Sequence, residues 1–477
     1  MRIPPARLRR SLAALLLPFL VAATVFIGLP VSTPHDARAG EPAQPDVVLI
    51  VSDDQRWDTL FAMPETRNLL GQQGVRFTNA FTTNPLCCPS RAGILTGTYS
   101  HTNGVYANGG PRGGFKVFDD TSTLATWMND AGYRTGLIGK YLNGYTSTGG
   151  TYIPPGWDRW FATFADAAYY DYRASDQGSP VHFGTKPQHY GPSVVAREAV
   201  AFIEGTEADT PLFAYVAPSS PHSPSTAAPG DGNAFSDLER WRPPSFNEPD
   251  VSDKPKWLRN REKFDADQVR AIDRARIRQL RSLLALDRLV ADVVQALKDE
   301  GRLDNAMIAF VSDNGVHWGE HRWHSKRVPY EESIRIPMLI RYDPLTATGT
   351  KQDALAATID LAPTIASIAG AATPPLDGQD LSPLLSGDSA GWRDELLVEH
   401  LGSESQVPTY CALRTDRDEL YVRHATGEEE FYRMASDRYQ LRNIANDGRT
   451  RRRLKVLRRH TRDLCDPPPK GLVWRLS

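Results

Sequence analysis

Two continuous apolar runs constrain the fold of this chain more than any other feature. VVLIVS spans residues 47–52 and MIAFVS spans residues 307–312, with no charged side chain inside either run. Such runs are typical of strands in a parallel or mixed sheet, because helices cover both faces of that sheet. Residues 268–299, which lead into the second run, carry apolar side chains at helical spacing, and Gly301 is a suitable stop. The pattern predicts a doubly wound α/β fold.

Acidic and amide side chains follow both runs, at the point where each predicted strand ends. Asp53 and Asp54 follow the first run, and Asp313 and Asn314 follow the second. Ligands gather beyond the carboxyl ends of strands in open α/β sheets. Clustered carboxylates repel one another, and a hard divalent cation such as Ca²⁺ or Mg²⁺ relieves that repulsion. Asp and Asn are also common turn residues, but two similar strand ends favour a shared metal site.

The first 39 residues predict a secretory signal. A basic stretch is followed by a long apolar stretch and then by Ala-Arg-Ala, which places cleavage after Ala39. An uncleaved membrane anchor is the alternative, although Pro18 favours cleavage, and Arg9-Arg10 weakly indicates twin-arginine export. Nothing later in the chain is long and apolar enough to span a membrane. We therefore expect a secreted or extracytoplasmic protein with no membrane span after the signal is removed.

The remaining chain predicts one large domain and one small domain. Its 477 residues are 40% hydrophobic and 23% charged, and the net charge of −2 argues against a nucleic-acid partner. We expect a catalytic domain at 40–385, with a long surface excursion at 221–256. A small α+β domain at 386–477 would contain short antiparallel strands and a basic helix at 449–462. Such a helix is usually a solvated face, and contact with a polyanionic substrate is the alternative.

Two of the four cysteines are adjacent, in CCPSRAGILTG at residues 87–97. Adjacent cysteines do not easily form a relaxed disulfide with each other. Pro89 suits the first position of a helix, so Cys87 would lie just before a helix N-terminus, where free N–H groups attract an anion. Arg91 adds a planar cation nearby. Cys87 is then either a reactive, acidic thiol or a buried small side chain, and both interpretations stay open at this point.

The other two cysteines lie late in the chain, at Cys411 and Cys465. Export would allow disulfides to form, and these two cysteines could pair with each other. Other pairings stay open on the sequence alone, and a free Cys88 is one outcome.

The segment CCPSRAGILTG resembles the signature of the type I sulfatases, Cys-x-Pro-Ser-Arg followed by a Leu-Thr-Gly helix. The resemblance implies that a formylglycine-generating enzyme converts Cys87 to formylglycine, an aldehyde, and that Cys88 fills the variable position. One hydroxyl of the hydrated aldehyde would attack the sulfur of a sulfate ester, and the second would expel sulfate. The implied fold is an alkaline-phosphatase-like large mixed sheet flanked by helices, with a small C-terminal antiparallel sheet plus helix.

The likeness extends from about residue 45 to about residue 445. GKYLNGY resembles the family's Gly-Lys segment and implies that Lys140 contacts the sulfate. PHSP implies that His222 lies beside the leaving group, and HSKR implies that Lys326 is a second sulfate-binding lysine. SDD and SDNG resemble the two metal motifs and imply one cation, with Ca²⁺ expected and Mg²⁺ as the alternative. The implied metal ligands are Asp53, Asp54, Cys87, Asp313 and Asn314.

Each of these residue types also suits the chemistry of sulfate ester cleavage. Negative charge grows on the bridging oxygen, so two lysines, Arg91 and a cation would stabilise it. His222 can donate a proton to the leaving alcohol. Taken singly, Lys140, Lys326 and His222 are more ordinary as solvated side chains, but five matches in the family's order favour the functional interpretation.

One position departs from the family pattern. Many members have a histidine two residues after the lysine of the Gly-Lys segment, and this chain has Leu142 there. GKYLN, PHSPSTAAP and SDNGVH instead resemble the N-acetylglucosamine-6-sulfatases and the extracellular heparan sulfate 6-O-endosulfatases, which implies a sulfated amino sugar or glycosaminoglycan substrate. Trp318 and Trp323 could stack on that sugar, or they could be core residues.

Two other functions remain as alternatives. A phosphomonoester or phosphodiester hydrolase of the same superfold would use nearly the same cation and lysines, although it usually adds a second metal site with further histidines; an aryl sulfatase differs only in substrate. If Cys87 stays a thiol, the protein would instead be a sulfated-glycan-binding protein.

Overall fold

The computed structural model describes residues 44–164, 167–402 and 407–474, and Gln44–Ser477 form one compact unit. The predicted signal at 1–39 lies outside the described residues. No helix in the described ranges is long and apolar enough to cross a membrane. The proposed boundary between residues 385 and 386 stays a prediction.

The described chain contains sixteen strands and eleven α-helices. The strands are β1 (Asp46–Ser52), β2 (Val75–Phe77), β3 (Ala80–Phe81), β4 (Arg134–Gly139), β5 (Arg159–Thr163), β6 (Tyr172–Asp176), β7 (Ser179–Phe183), β8 (Leu212–Ala217), β9 (Ala306–Ser312), β10 (Met338–Arg341), β11 (Thr350–Gln352), β12 (Ala356–Ala357), β13 (Glu395–His400), β14 (Tyr410–Thr415), β15 (Glu419–His424) and β16 (Glu429–Arg433). The helices are α1 (Pro64–Thr66), α2 (Cys87–Thr96), α3 (Ser100–Asn103), α4 (Leu124–Asp130), α5 (Gly191–Glu204), α6 (Lys256–Arg259), α7 (Ala266–Asp299), α8 (Glu331–Ile334), α9 (Leu361–Ala369), α10 (Ser382–Leu385) and α11 (Arg451–Leu464).

Ten strands form one mixed sheet in the order β11-β2-β10-β9-β1-β8-β4-β5-β6-β7. Strands β9, β1, β8, β4 and β5 run parallel at its centre, and antiparallel pairs flank them. Both apolar runs of the sequence are central strands, and every residue of β1 and β9 is buried. Helices α2, α4 and α9 pack on one face of the sheet and α5 and α7 on the other. This two-sided burial explains why the runs contain no polar alternation.

The two runs are also neighbours. Strands β1 and β9 pair in parallel register, with Ser52 opposite Ser312. Because the carboxyl ends of the two strands coincide, the residues that follow them must meet at one edge of the sheet. The meeting of the two metal motifs therefore follows from a single strand pairing.

The C-terminal strands β13 to β16 form the predicted antiparallel sheet, in sequence order. Helix α11 packs on it through Leu454 and Leu457. Cys411 of β14 and Cys465, which follows α11, are joined in a disulfide, so the expected pairing is confirmed. The link attaches the C-terminal end of the basic helix to the sheet.

Candidate active site

The four strand-end residues come together. The backbone N–H of Asp54 donates to Asp313 Oδ1 at 3.1 Å, and Asn314 Nδ2 donates to Asp54 Oδ1 at 2.7 Å. Asp54 has a φ of 65°, a left-handed conformation that Asp tolerates better than most residues. Asp53 follows β1 directly and is fully buried, as are Asp313 and Asn314. The strand ends therefore present a compact set of oxygen atoms.

Ser312 contributes to this arrangement although the motif analysis did not single it out. Its hydroxyl accepts a hydrogen bond from the N–H of Gln55 at 2.9 Å and donates to the carbonyl of Asn314 at 2.9 Å. It thus ties the turn after β1 to the turn after β9. The sequence contained this signal, because a serine precedes both Asp53-Asp54 and Asp313-Asn314.

Cys87 lies at the N-terminus of α2, facing the strand ends. Its Sγ is 3.5 Å from Asp53 Oδ1 and 4.0 Å from Asp54 Oδ1. The helix begins at Cys87, so the expectation that Pro89 would be its first residue is wrong by two positions. The first turn of a helix has no intrahelical acceptor for its N–H groups, so a proline at the third position sacrifices no hydrogen bond.

Burial works against an acidic thiol at Cys87. Its side chain is buried, and burial raises the pKa of Cys87 to about 12, even though Lys140 and Lys326 lower it in part. An unmodified Cys87 would therefore stay protonated near neutral pH. Of the two interpretations that the sequence left open, the structure favours the buried side chain for an unmodified Cys87.

Three buried cations surround Cys87 and the strand ends. Lys140, which follows β4, donates to Asp53 Oδ2 at 2.6 Å. Lys326 donates to Cys87 Sγ at 2.7 Å and also contacts Asp54 Oδ1. Arg91 donates from Nε to Asp313 Oδ2 at 2.9 Å. All three sequence-predicted cations are thus within reach of the thiol or its acidic neighbours.

The cations set the ionisation of the carboxylates. Burial alone would raise the pKa of Asp53, but Lys140, His222 and Arg91 outweigh burial and hold that pKa well below its usual range. Burial and the Asp53 charge together raise the pKa of Asp313 to about 6, against the opposing effect of Arg91. The site is rich in both signs of charge, as a site for an anion and a cation must be.

His222 lies at the outer edge of this cluster. Its Nε2 is 3.7 Å from Asp54 Oδ2, and its side chain is 22% exposed, whereas Asp53 and Asp313 are inaccessible. The carbonyl of His222 accepts a hydrogen bond from the hydroxyl of Tyr169 at 2.9 Å, which anchors this part of the 221–256 excursion. The imidazole therefore stands between the buried charges and solvent.

The residues present fit a divalent cation. Carboxylate oxygens of Asp53, Asp54 and Asp313 all lie within 4.8 Å of one another. The side-chain oxygen of Asn314 is buried and accepts no hydrogen bond from any described group. Such an orphaned oxygen is costly unless a ligand contacts it, and oxygen-only donor sets suit Ca²⁺ or Mg²⁺. A second possible metal-binding group, Asp53 with Cys87 and His222, shares Asp53 with the first, so the described residues define one centre.

The two tryptophans are structural. Trp318 is 3% exposed and lies 4.3 Å beneath the Arg56 guanidinium. Trp323 is buried as well, and its indole N–H donates to the carbonyl of Lys326 at 3.0 Å. Of the two interpretations left open for these tryptophans, the structure supports core residues, because both side chains are buried. Trp323 instead fixes the backbone that carries Lys326.

Leu142, at the position where many sulfatases have a histidine, is 3% exposed and belongs to the core cluster beneath α2 and α4. The side chain packs among aromatic and aliphatic groups. Nothing polar replaces the histidine at this position.

A cluster of buried cations and carboxylates at the ends of two parallel strands, on a large mixed sheet, is the arrangement expected of an alkaline-phosphatase-like hydrolase. Comparison with known families gives the next step. The sulfatase family model matches residues 45–371, and the model of the N-sulphoglucosamine sulphohydrolase C-terminal region matches residues 319–465. The chain belongs to the sulfatase family, and is by class a sulfuric ester hydrolase, which confirms the family predicted from the motifs.

Two relatives illustrate the range of similarity. The extracellular sulfatase SULF-1 homolog of Drosophila melanogaster is 30% identical over 423 residues, which cover 84% of this chain and 37% of the relative. The N-acetylglucosamine-6-sulfatase of Homo sapiens is 34% identical over 381 residues, which cover 76% of this chain and 68% of the relative. The chain thus spans little more than a third of the first relative and about two thirds of the second.

Solved structures share the fold. A protein in complex with its substrate D-glucosamine-2-N,6-O-disulfate superposes with a TM-score of 0.77 at 23% identity, covering 89% of this chain and 98% of the other. The phosphonate monoester hydrolase of Agrobacterium radiobacter gives a TM-score of 0.69 at 21% identity, covering 87% of this chain and 96% of the other. The predicted fold is confirmed, and its occurrence in both proteins means that the fold alone does not choose between sulfur and phosphorus esters.

Proposed function

We propose that the protein hydrolyses a sulfate ester on an amino sugar, using formylglycine at position 87 and one divalent cation. The observation that carries this proposal is the position of Cys87. Its Sγ, which marks where the oxygens of a hydrated formylglycine would lie, is at a helix tip, 3.5 Å from a buried carboxylate and 2.7 Å from Lys326. This position would suit an anion held between cations, with the modified residue 87 able to attack it.

Asp53, Asp54, Asp313 and Asn314 would hold the cation, together with residue 87. Formylglycine would supply the attacking oxygen when present, and the cation would polarise the sulfate. Ca²⁺ is the ion we propose, because the donor set consists of oxygens and a Ca²⁺ site tolerates irregular geometry.

The protein's own side chains would bind the sulfate and stabilise its charge. Lys140, Lys326 and Arg91 are already desolvated, so no solvent reorganisation accompanies charge development on the sulfate oxygens. Their ammonium and guanidinium groups are held by carboxylates at 2.6 to 2.9 Å or in direct contact, which fixes their positions before substrate arrives.

His222 would protonate the leaving alcohol. It is the most exposed of the proposed catalytic residues, and it faces the buried cluster from the solvent side, where the sugar of a bound ester must lie. General acid catalysis of this kind typically contributes a factor of about 10² to 10⁴.

An amino sugar sulfate is the proposed substrate because of the relatives. The human relative is an N-acetylglucosamine-6-sulfatase, and the Drosophila relative is an extracellular sulfatase. The resemblance to these proteins includes segments that contribute site residues, namely GKYLN, PHSPSTAAP and SDNGVH. We therefore propose N-acetylglucosamine-6-sulfate units, free or within a glycosaminoglycan.

Peptide mass spectrometry over residues 77–91 tests the modification. Conversion of Cys87 replaces a thiol with an aldehyde, so sulfur is lost from this peptide while Cys88 stays intact. A plain thiol on Cys87 in active protein would contradict the proposal, and a plain thiol in inactive protein that binds sulfated glycans would support the non-enzymatic alternative.

Turnover measurements test the substrate. We expect sulfate release from N-acetylglucosamine-6-sulfate, and none from the Cys87→Ala variant. Parallel assays with an aryl sulfate and an aryl phosphate address the two rival activities. Faster turnover of the phosphate than of any sulfate ester would favour the phosphoryl hydrolase, and turnover of the aryl ester alone would favour an aryl sulfatase.

We also propose that the protein acts outside the cytoplasm, after export and conversion by a formylglycine-generating enzyme. The Cys411–Cys465 disulfide supports an oxidising compartment. N-terminal sequencing of exported protein should begin at Gly40. Retention of the first 39 residues would instead support the membrane anchor.

A further inference from the structure

The exposed side of α11 carries positive charge that ester hydrolysis in the pocket does not use. Residues 449–462 contain eight Lys or Arg and no Asp or Glu, in a chain of net charge −2. Four of these cations are paired: Arg449 to Asp447, Arg453 to Glu419, Arg458 to Glu429 and Arg462 to Asp463. Four others are exposed and have no carboxylate within ion-pair distance among the described residues, and we refer to them together as the basic face: Arg451, Arg452, Lys455 and Arg459.

The basic face is continuous. With 3.6 residues per turn, these four positions fall within about 100° of one another around the helix, and they extend roughly 12 Å along it. Leu454 and Leu457 project from the opposite side and are buried against the C-terminal sheet. The helix is therefore held with its charges outward, and its apolar side is already occupied.

A broad open groove of about 1310 Å³ runs along the basic face. The four cations line it together with Tyr421 and Trp474. It is far larger than one sulfate needs, and it is open along its length. A groove of this kind suits a linear polyanion better than a small anion.

The groove and the catalytic pocket lie on opposite faces of the C-terminal sheet. The hydroxyl of Tyr410 on β14 donates to the carbonyl of Arg327, next to Lys326, at 3.2 Å. Leu413, three residues along the same strand, packs against α11. Successive side chains of a strand point to opposite faces, so the basic face cannot be an extension of the pocket.

We propose that the basic face binds a sulfated polysaccharide, at a site separate from the catalytic pocket. This proposal rests on the proposed function, because it takes the polymer to be one that contains the substrate sugar. Guanidinium groups form paired hydrogen bonds with tetrahedral oxyanions and are more weakly hydrated than ammonium groups, and three of the four cations are arginines. Binding here would keep the enzyme on the polymer between hydrolytic events.

Two other polyanions fit the groove less well. An interfacial helix binds a membrane by burying its apolar side in lipid, and the apolar side of α11 is already packed against the sheet. A general nucleic-acid binder would be expected to carry net positive charge, whereas this chain is slightly acidic. Both remain as outcomes of the test below.

The test compares two fourfold variants of the full mature enzyme. The first changes the basic face: Arg451→Gln, Arg452→Gln, Lys455→Gln and Arg459→Gln. The matched control changes four other exposed cations that have no ion pair among the described residues: Arg67→Gln, Arg274→Gln, Lys298→Gln and Lys351→Gln. Binding to size-defined heparin fragments is measured against salt concentration, and hydrolysis of N-acetylglucosamine-6-sulfate is measured in parallel.

We expect the basic-face variant to bind heparin at least about tenfold more weakly, with a shallower salt dependence, because fewer counterions are released. The control should bind like the wild type, and all three proteins should hydrolyse the monosaccharide equally. Equal heparin binding by both variants would overturn the proposal, as would equally tight binding of duplex DNA or anionic phosphatidylserine vesicles. If the protein binds heparin through the basic face but has no sulfatase activity, the proposed function is contradicted while the proposed binding surface is still supported.

Discussion

The proposed catalytic pocket and the basic face both concentrate positive charge, but they hold it in opposite ways. In the pocket, Arg91, Lys140 and Lys326 are buried, and each contacts a carboxylate. On α11, the side chains of Arg451 and Lys455 are exposed, with no carboxylate beside them in the described chain. Buried charges interact strongly in a low effective dielectric, whereas exposed charges are screened by salt.

This difference determines how each region should respond to the loss of a charge. In the pocket, each buried cation is held in place by one or two carboxylates, so removing a charge leaves its buried partner poorly compensated. On the basic face, no single cation has a fixed partner, so binding would depend on how many are present. Substitutions in the pocket should therefore act individually and strongly, and substitutions on α11 should act gradually.

Cys87→Ala should have the largest effect of any single change. We expect sulfate release to fall by a factor of about 10⁴ or more, because the attacking group itself is lost. Sulfate release from the amino sugar substrate, measured on purified protein, checks this. Cys88→Ala is the matched control, since Cys88 is the adjacent buried cysteine, and its activity should stay close to that of the wild type. Equal losses in both variants would show that the effect is one of folding.

Asp53→Asn should have the next largest effect. Loss of this charge removes the partner of Lys140 and one proposed cation ligand, so activity should fall by about 10³ and the bound cation should drop from one per chain to none. Elemental analysis after dialysis measures the cation. Asp46→Asn is a control at the opposite end of the same strand, where the carboxylate pairs with Arg302 at 3.0 Å. It should reduce stability and leave the cation in place.

The catalytic pocket was more predictable from sequence than the surface around it. The apolar runs at 47–52 and 307–312 identified buried strands, and their Ser-Asp endings identified the residues that meet beyond them. These features are local, since a strand and the turn that ends it are encoded by consecutive residues. Their pairing as neighbours, β1 with β9, depends on contacts more than 250 residues apart in sequence, and the sequence indicated it only indirectly, through the similar acidic and amide endings of the two runs and the family resemblance.

The tryptophans show why other features could not be predicted. Trp318 and Trp323 lie near Lys326 in sequence, so a sugar-binding role was reasonable. Whether such a side chain faces a pocket or the core depends on distant residues, here Arg56 and Arg261, which cover the rings at 4.3 Å and 4.0 Å. Sequence proximity alone carries no information about such contacts.

His222→Gln should have a smaller effect that depends on the leaving group. With a sugar sulfate, whose alcohol needs a proton, we expect a loss of about 10² in kcat/KM. An aryl sulfate has a more stable leaving group, so the loss should be less than about tenfold. His182→Gln, at an exposed histidine elsewhere, should match the wild type with both substrates. Equal losses with both substrates would argue against proton donation by His222.

Removing the disulfide should affect the C-terminal region and leave the pocket almost unchanged. The double variant Cys411→Ala, Cys465→Ala removes the cross-link between two cysteines that are 54 positions apart in sequence. We expect the free energy of unfolding to fall by about 2–4 kcal/mol. Denaturant titration measures it. Turnover of the monosaccharide by folded protein should change little, since Cys411 and Cys465 pack in a hydrophobic cluster that contains none of the proposed catalytic residues. Comparable stability with and without the link would contradict this expectation.

Salt should produce the smallest effect on the pocket and thereby separate the two regions most directly. Raising NaCl from about 0.05 M to about 0.5 M shortens the screening length several-fold. This weakens interactions between exposed charges but has little effect on charges that are buried and paired. We expect the KM for the monosaccharide to change less than about threefold, while the KM for a sulfated polymer rises by at least about tenfold. In the basic-face variant, the KM for either substrate should change less than about threefold with salt, because the exposed cations that salt screens have been removed. A polymer KM that responds to salt equally in the variant and the wild type would place the long-range attraction elsewhere on the molecule.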